Sequence, residues 1–182
     1  MRMKRGAGLA AAMVGLAVLS TSAESGQPPA QNDDAWAPLR FTLGTWDTTS
    51  SGQPGIGTGT REYRLVLRDR FIEVRTRTTY PPQDNNPKGE VHEDVGFISY
   101  DRGRKMFVFR QFHAEGFVNT YVAPASNPLT FVTEAIENIP DGYRAREIYR
   151  IVSPSEFVET FSLAEPGQDF ELYSETRLKK RR

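Results

Sequence analysis

The stretch from Lys105 to Ala123, KMFVFRQFH-AEG-FVNTYVA, decides the fold. Two short segments of alternating apolar residues flank Ala114-Glu115-Gly116. Alternation of that kind marks half-buried strands, and a three-residue link containing glycine marks a hairpin. Gly116 takes the left-handed position that closes a type I turn with a bulge. This register pairs His113 with Phe117, Gln111 with Asn119 and Phe109 with Tyr121, so all six share one face. A two-residue loop at Glu115-Gly116 would instead gather Arg110, Phe112, Asn119 and Tyr121 and send His113 to the other side. The three-residue loop is the register adopted.

The same pattern extends in both directions. After an opening strand that begins at Leu43 to Trp46, strands are expected at about 59–67, 71–80, 90–100, 105–113, 117–123, 129–137, 144–152, 156–164 and 170–178. Links such as Arg68-Asp69-Arg70, Pro140-Asp141-Gly142 and Ser153-Pro154-Ser155 are short, and only Pro81 to Gly89 is longer. Short links make successive strands antiparallel neighbours. Ten in series close on themselves, because closure removes the exposed edges. The expected fold is therefore all-β: a ten-stranded antiparallel up-and-down β-barrel, with a short helical turn at Trp36 to Phe41 plugging one end. A two-sheet sandwich is the competing architecture and needs longer crossovers than these links provide.

Charged residues fall inside several strands. Glu134 lies between Val132 and Ile136, Glu147 on the face of Ala145, Tyr149 and Ile151, and Glu93 on the face of Val95 and Phe97. A buried carboxylate is costly unless it is paired. Arg75, Arg110 and Arg146 are the expected partners. In the last strand Phe170, Leu172, Ser174, Thr176 and Leu178 are expected to point inward. The interior then reads as a lined container. Gln111, His113, Asn119 and Tyr121, with Phe109 and Phe117, form its ligand-reading patch. Trp46, Arg75, Glu134 and Glu147 complete the expected ligand-binding set.

The first residues are a different material. Met1 to Arg5 is basic, Gly6 to Leu19 is apolar, and Thr21-Ser22-Ala23 offers small residues for cleavage. This is the pattern of a secretory signal peptide, and the apolar run is short for a membrane span. Residues 1–23 are therefore expected to be a signal peptide, 24–34 a flexible linker and 35–182 a single barrel domain. The product is expected to be exported, periplasmic or secreted, with no stable membrane insertion after cleavage. The chain has 23 basic and 23 acidic residues and no cysteine. That balance argues against nucleic acid as a partner, and disulfides and thiolate metal sites are excluded. The one basic cluster, Lys179 to Arg182, is read as a solvated tail rather than a contact for an anionic surface.

No nucleophile elbow, phosphate-cradling loop or His-Glu-x-x-His motif is present. Two histidines, His92 and His113, are too few for a metal site built of several, and no acidic spacing matches a known metal loop. No metal site and no catalytic residues are assigned.

Trp36-x-Pro38-Leu39-x-x-x-Leu43-Gly44-Thr45-Trp46 resembles the opening block of the nitrobindin-like and related calycin β-barrels. Val91-His92-Glu93-Asp94-Val95-Gly96-Phe97 is similar to a His-x-Glu-x-Gly-Phe segment of nitrobindins. Arg70-Phe71-Ile72-Glu73 and Gly96 to Asp101 resemble secreted bacterial barrels of the calycin-like group, which have no assigned activity. The resemblance covers about residues 35–178 and implies a calycin- or lipocalin-like barrel that buries a small ligand. In nitrobindins that ligand is haem, used in nitrogen-oxide chemistry and held by a histidine near the C-terminus. Phe170 to Leu178 contains no histidine here, and Tyr173 is the nearest candidate ligand.

The first expectation is thus an exported, non-enzymatic barrel for a small amphipathic or partly anionic organic molecule, without a cofactor. The second is a haem protein with His92 or His113 as axial ligand. The third is a general acid/base enzyme using His113 with Glu134 or Glu147. A structural barrel with a filled interior is the fourth.

Overall fold

The computed structural model describes residues 33–126 and 128–182. The expected signal peptide and most of the expected linker lie outside the described residues. Ten strands follow in chain order: β1 (Gly44–Gly52), β2 (Gly57–Val66), β3 (Phe71–Tyr80), β4 (Glu90–Asp101), β5 (Met106–His113), β6 (Val118–Pro124), β7 (Leu129–Glu137), β8 (Arg144–Ser153), β9 (Glu156–Ala164) and β10 (Glu171–Lys180). Each pairs antiparallel with the next, and β1 pairs with β10, so the sheet closes into the expected barrel. The β5–β6 register matches the three-residue loop: Phe109 faces Tyr121 and Gln111 faces Asn119. The Gly116 amide donates to the His113 carbonyl at 2.9 Å, with Gly116 at φ 94°.

One end is packed solid. A 3-10 helix, Asp33–Thr42, begins inside the expected linker and lays Trp36 and Leu39 into the core. Trp36 Nε1 donates to the Asp69 carbonyl in the β2–β3 loop at 3.2 Å. Trp46 Nε1 donates to the Thr42 carbonyl at 2.6 Å and fixes the end of the helix to β1. Phe157 lies edge-on against both Phe41 and Trp46, with centroids 5.3 and 4.7 Å away. Edge-to-face contacts of this kind add to the area that the rings bury.

Two bulges correct the expected faces. Between β6 and β7 the pairing steps from Thr120↔Ala135 to Tyr121↔Thr133, so Glu134 is the extra residue. It swings outward, where its carboxylate accepts from Arg104 at 2.6 Å. In β10 the register shifts between Leu172 and Ser174. Thr176 and Leu178 point inward as expected, but Leu172 is 61% exposed. A bulge adds one residue and so reverses the alternation beyond it. Glu93, Val95 and Phe97 do share a face, but it is the outer one, where Glu93 pairs with Arg77. Arg75 and Arg110 are outside too, on Glu73 and Glu137, and Arg146 covers the Phe170 ring. The basic cluster is no free tail: Lys179 and Lys180 belong to β10, and Arg181 pairs with Asp47.

Candidate functional site

The other end of the barrel holds a cavity of about 510 Å³. The loops β1–β2, β5–β6 and β7–β8 reach its rim through Pro54, Glu115 and Ile139. The 3-10 helix sits at the opposite end, on the β2–β3 loop. A volume of this size is ordinary for small-molecule sites.

Strand alternation decides what lines it. On β2 the buried Tyr63 sets the inner face, and Arg61, two residues earlier, turns in with it. On β9 Glu159 lies between the inward Phe157 and Phe161. Arg61 and Glu159 form a buried ion pair, with Arg61 Nη2 also donating to Glu159 Oε1 at 3.3 Å. Hydrogen bonds continue from Arg61 to the Tyr63 hydroxyl at 3.4 Å, from Tyr63 to Tyr149 at 3.3 Å, and from Tyr149 to Glu147 Oε2 at 3.0 Å. Tyr121 meets the same carboxyl. Burial, reinforced by Glu159, pushes Glu147 up to about 8, so it is mostly neutral at pH 7.

That shift gives a pH prediction. The unfolded Glu147 carboxyl ionises near 4.5 and the folded one near 8. Between those values only the folded state keeps the proton, so this group's contribution to stability falls as pH rises from 4.5 to 8. In Glu147→Gln that slope is expected to be absent. Urea midpoints of the two proteins should be closest near pH 5, with the variant gaining on the wild type up to pH 8. Midpoints that stay parallel across the range would refute the assignment.

Nearer the rim, His113 stacks on Phe117, with centroids 4.0 Å apart and planes 17° from parallel. Asn119 Nδ2 donates to the Tyr121 hydroxyl at 2.9 Å and lies 3.2 Å from His113 Nε2. Burial, with His92 adding to it, depresses His113 to about 4 and leaves a neutral imidazole. His92 Nδ1 lies 2.9 Å from Glu115 Oε1. Asp94 is buried and faces His113 across the strand pair, and burial raises its carboxyl above the usual range.

Gln111, His113, Phe117, Asn119, Tyr121 and Glu147 all line this cavity, as the hairpin register and strand faces predict. Phe109 lies deeper, stacked on Tyr121 and edge-on to Phe131. Trp46 belongs to the packed end, and Arg75 and Glu134 lie outside the wall. Arg61, Asp94 and Glu159 were not among the expected site residues. Their signal was available: Arg61 and Glu159 lie two residues from the inward Tyr63 and Phe157, and Asp94 lies four from the inward Ile98 on its own strand. The acidic members also change the character of the site. Glu90, Asp94, Glu115 and Glu159, with the largely neutral Glu147, line the cavity beside one guanidinium, that of Arg61, which is the reverse of what an anionic ligand needs.

Fold and site together define a closed ten-stranded antiparallel barrel with a cavity at one end and an acid-rich lining. Among solved structures the chain is similar to Rv2717c from M. tuberculosis, with a TM-score of 0.66 and 16% identity over 84% of this chain and 100% of that one. It is also similar to a de novo designed fluorescence-activating β-barrel, with a TM-score of 0.44 and 15% identity over 83% of this chain and 100% of that one. At these identities the first likeness shows the fold alone, and the second carries no argument. No protein-family model and no curated protein matches the chain.

Proposed function

We propose that the chain is an exported, non-enzymatic binding barrel for a small amphipathic organic molecule whose polar end is cationic and donates hydrogen bonds. The observation that carries this is the lining: five acidic side chains, Glu90, Asp94, Glu115, Glu147 and Glu159, against the one guanidinium of Arg61, in a cavity of about 510 Å³, with Glu147 contributing as a neutral acid at pH 7. Gln111 Oε1 and Asn119 Oδ1 are buried acceptors without a partner, so the site calls for donors. Phe117, Ile136, Phe161 and Leu163 supply apolar wall for the rest of the molecule. Export rests on the N-terminal pattern of charged, apolar and small residues. Among the described residues no helix is long and apolar enough to cross a membrane. The resemblance to nitrobindin-like and calycin barrels supports the same reading, a barrel that buries a ligand.

Haem does not fit the residues present. Its propionates would meet the acidic lining, and the ring planes that an axial bond to His92 or His113 requires are taken up by Glu115 on the first and by the stacked Phe117 on the second. Tyr173 is no better, because burial raises its phenol and disfavours the tyrosinate a haem iron would need. The acid/base pairing of His113 with Glu134 is overturned by the wall between them. His113 and Glu147 face the same cavity, with Asn119 and Tyr121 between them.

Thermal shift with a panel of arylalkylamines and the matching arylalkyl carboxylates tests the reading. The amines are expected to raise the midpoint and the carboxylates to leave it unchanged, and Gln111→Leu should reduce the amine effect. Equal responses to both series, or stabilisation by the carboxylates alone, would sink it. Haemin is expected to keep its free spectrum when mixed with the protein. A Soret band that disappears in His113→Ala would restore the haem reading.

A further inference from the structure

At the rim, β4 and β5 bring three metal-ligating side chains together. His92 and Asp94 are two residues apart on β4 and therefore share its inner face. His113, the last residue of β5, is the cross-strand partner of Asp94. Directly paired residues project side by side from the sheet. One ring nitrogen from each histidine and one Asp94 oxygen lie within 4.8 Å of one another. His92 Nε2 and Asp94 Oδ2 are 3.7 Å apart. We propose that His92, Asp94 and His113 form a mononuclear site for a divalent first-row transition-metal ion at the mouth of the cavity.

Metal–ligand bonds of roughly 2.1 Å put neighbouring donor atoms about 3.0–3.4 Å apart, so the cluster must contract by about an ångström. Small rotations about the side-chain bonds supply that movement. A second observation points to a ligand here. The Asp94 side chain is only 2% exposed, yet its Oδ1 has no hydrogen-bond partner. His113 Nδ1 is likewise buried without one. Buried polar atoms left in this state are uncommon, and a metal ion satisfies both. The outer partners are in place too. Glu115 Oε1 beside His92 Nδ1 accepts from that ring in the manner of a second-sphere group around a metal-bound imidazole, and the unpartnered Asn119 Oδ1 would do the same for His113 Nε2 once the amide is turned over. Two imidazoles and one carboxylate suit a transition metal rather than calcium or magnesium, which favour all-oxygen donor sets. Three protein ligands leave further coordination positions open toward the cavity, where a small molecule or water can bind. The short count of histidines excludes a site of several imidazoles, but not this one.

The inference shares the cavity with the organic-ligand reading but does not rest on it, because the metal alone is the probe. The untagged chain is stripped with a chelator, and Zn²⁺ or Co²⁺ is titrated calorimetrically, with visible absorption followed for Co²⁺. One equivalent per chain is expected, with d–d bands that saturate at the same point. His92→Ala, His113→Ala and Asp94→Asn should each weaken binding at least tenfold while the far-UV spectrum stays that of the wild type. Glu134→Gln, outside the wall, should bind as the wild type does. Asp94→Asn is nearly isosteric and guards against loss of binding through misfolding. The whole chain has only these two histidines and no cysteine, so imidazole-dependent binding must use them. No saturable binding by the folded wild type, or affinity unchanged in the two histidine variants, would overturn the site. Failure here with the amine effect intact would leave the organic-ligand reading standing, and the converse result would leave the metal site standing.

Discussion

Arg61→Met is expected to destabilise the fold by about 3–5 kcal/mol, because it leaves a buried carboxylate without its counter-charge. Arg61 and Glu159 are 8% and 6% exposed, so the water that enters the cavity replaces the lost partner only in part. Burial works against the Arg61 cation, but Glu159 beside it holds the guanidinium charged all the same. The same substitution removes the donor to Tyr63 and breaks the chain that leads through Tyr149 to Glu147. Domains of this size have a total stability of about 5–15 kcal/mol, so the variant should unfold at low urea. Adding Glu159→Leu removes the stranded charge and should recover most of the loss. A single variant that costs under about 1 kcal/mol, the value usual for exposed pairs, would show that the pair is solvated.

Trp46→Ala is the second large effect, at about 3–5 kcal/mol for truncating a buried indole. Trp46 is 1% exposed, packs on Phe157, and hydrogen-bonds the carbonyl that ends the 3-10 helix. Its loss should loosen the plug as well as leave a void. The cavity lies at the other end, so amine binding at a temperature where the variant is folded should match the wild type. A ligand response abolished in the folded variant would place Trp46 in the recognition site after all.

The architecture was legible because it rests on two local signals, alternation and short links. Each survives without knowledge of the partner strand. The hairpin around Ala114 to Gly116 placed four polar residues of the cavity correctly for the same reason: its turn fixes its register. Glu134 failed because a bulge inserts a residue without any glycine or proline to announce it. Arg75 lies between Val74 and Thr76, so alternation from the inward Ile72 and Val74 already sets it on the outer face; it was placed inside only to give the strand carboxylates a partner. Arg61 and Glu159 were readable from their neighbours Tyr63 and Phe157. Their pairing was not, since 98 positions separate them and only closure of the barrel brings them together.

That closure has a kinetic consequence. Every neighbouring pair of strands except β1 with β10 is consecutive in the chain. Nine of the ten ladders can therefore grow from local hairpins, which makes most of the contact order low. The entropic cost of bringing distant segments together is concentrated in a single seam. Ser50 and Thr176 are hydrogen-bonded across it, 126 positions apart. Arg61 on β2 and Glu159 on β9 lie on opposite sides of the same seam. Until it shuts, Glu159 is held apart from Arg61. Closing that one seam is what turns the sheet into a container, and the same closure assembles the charge pair that lines it.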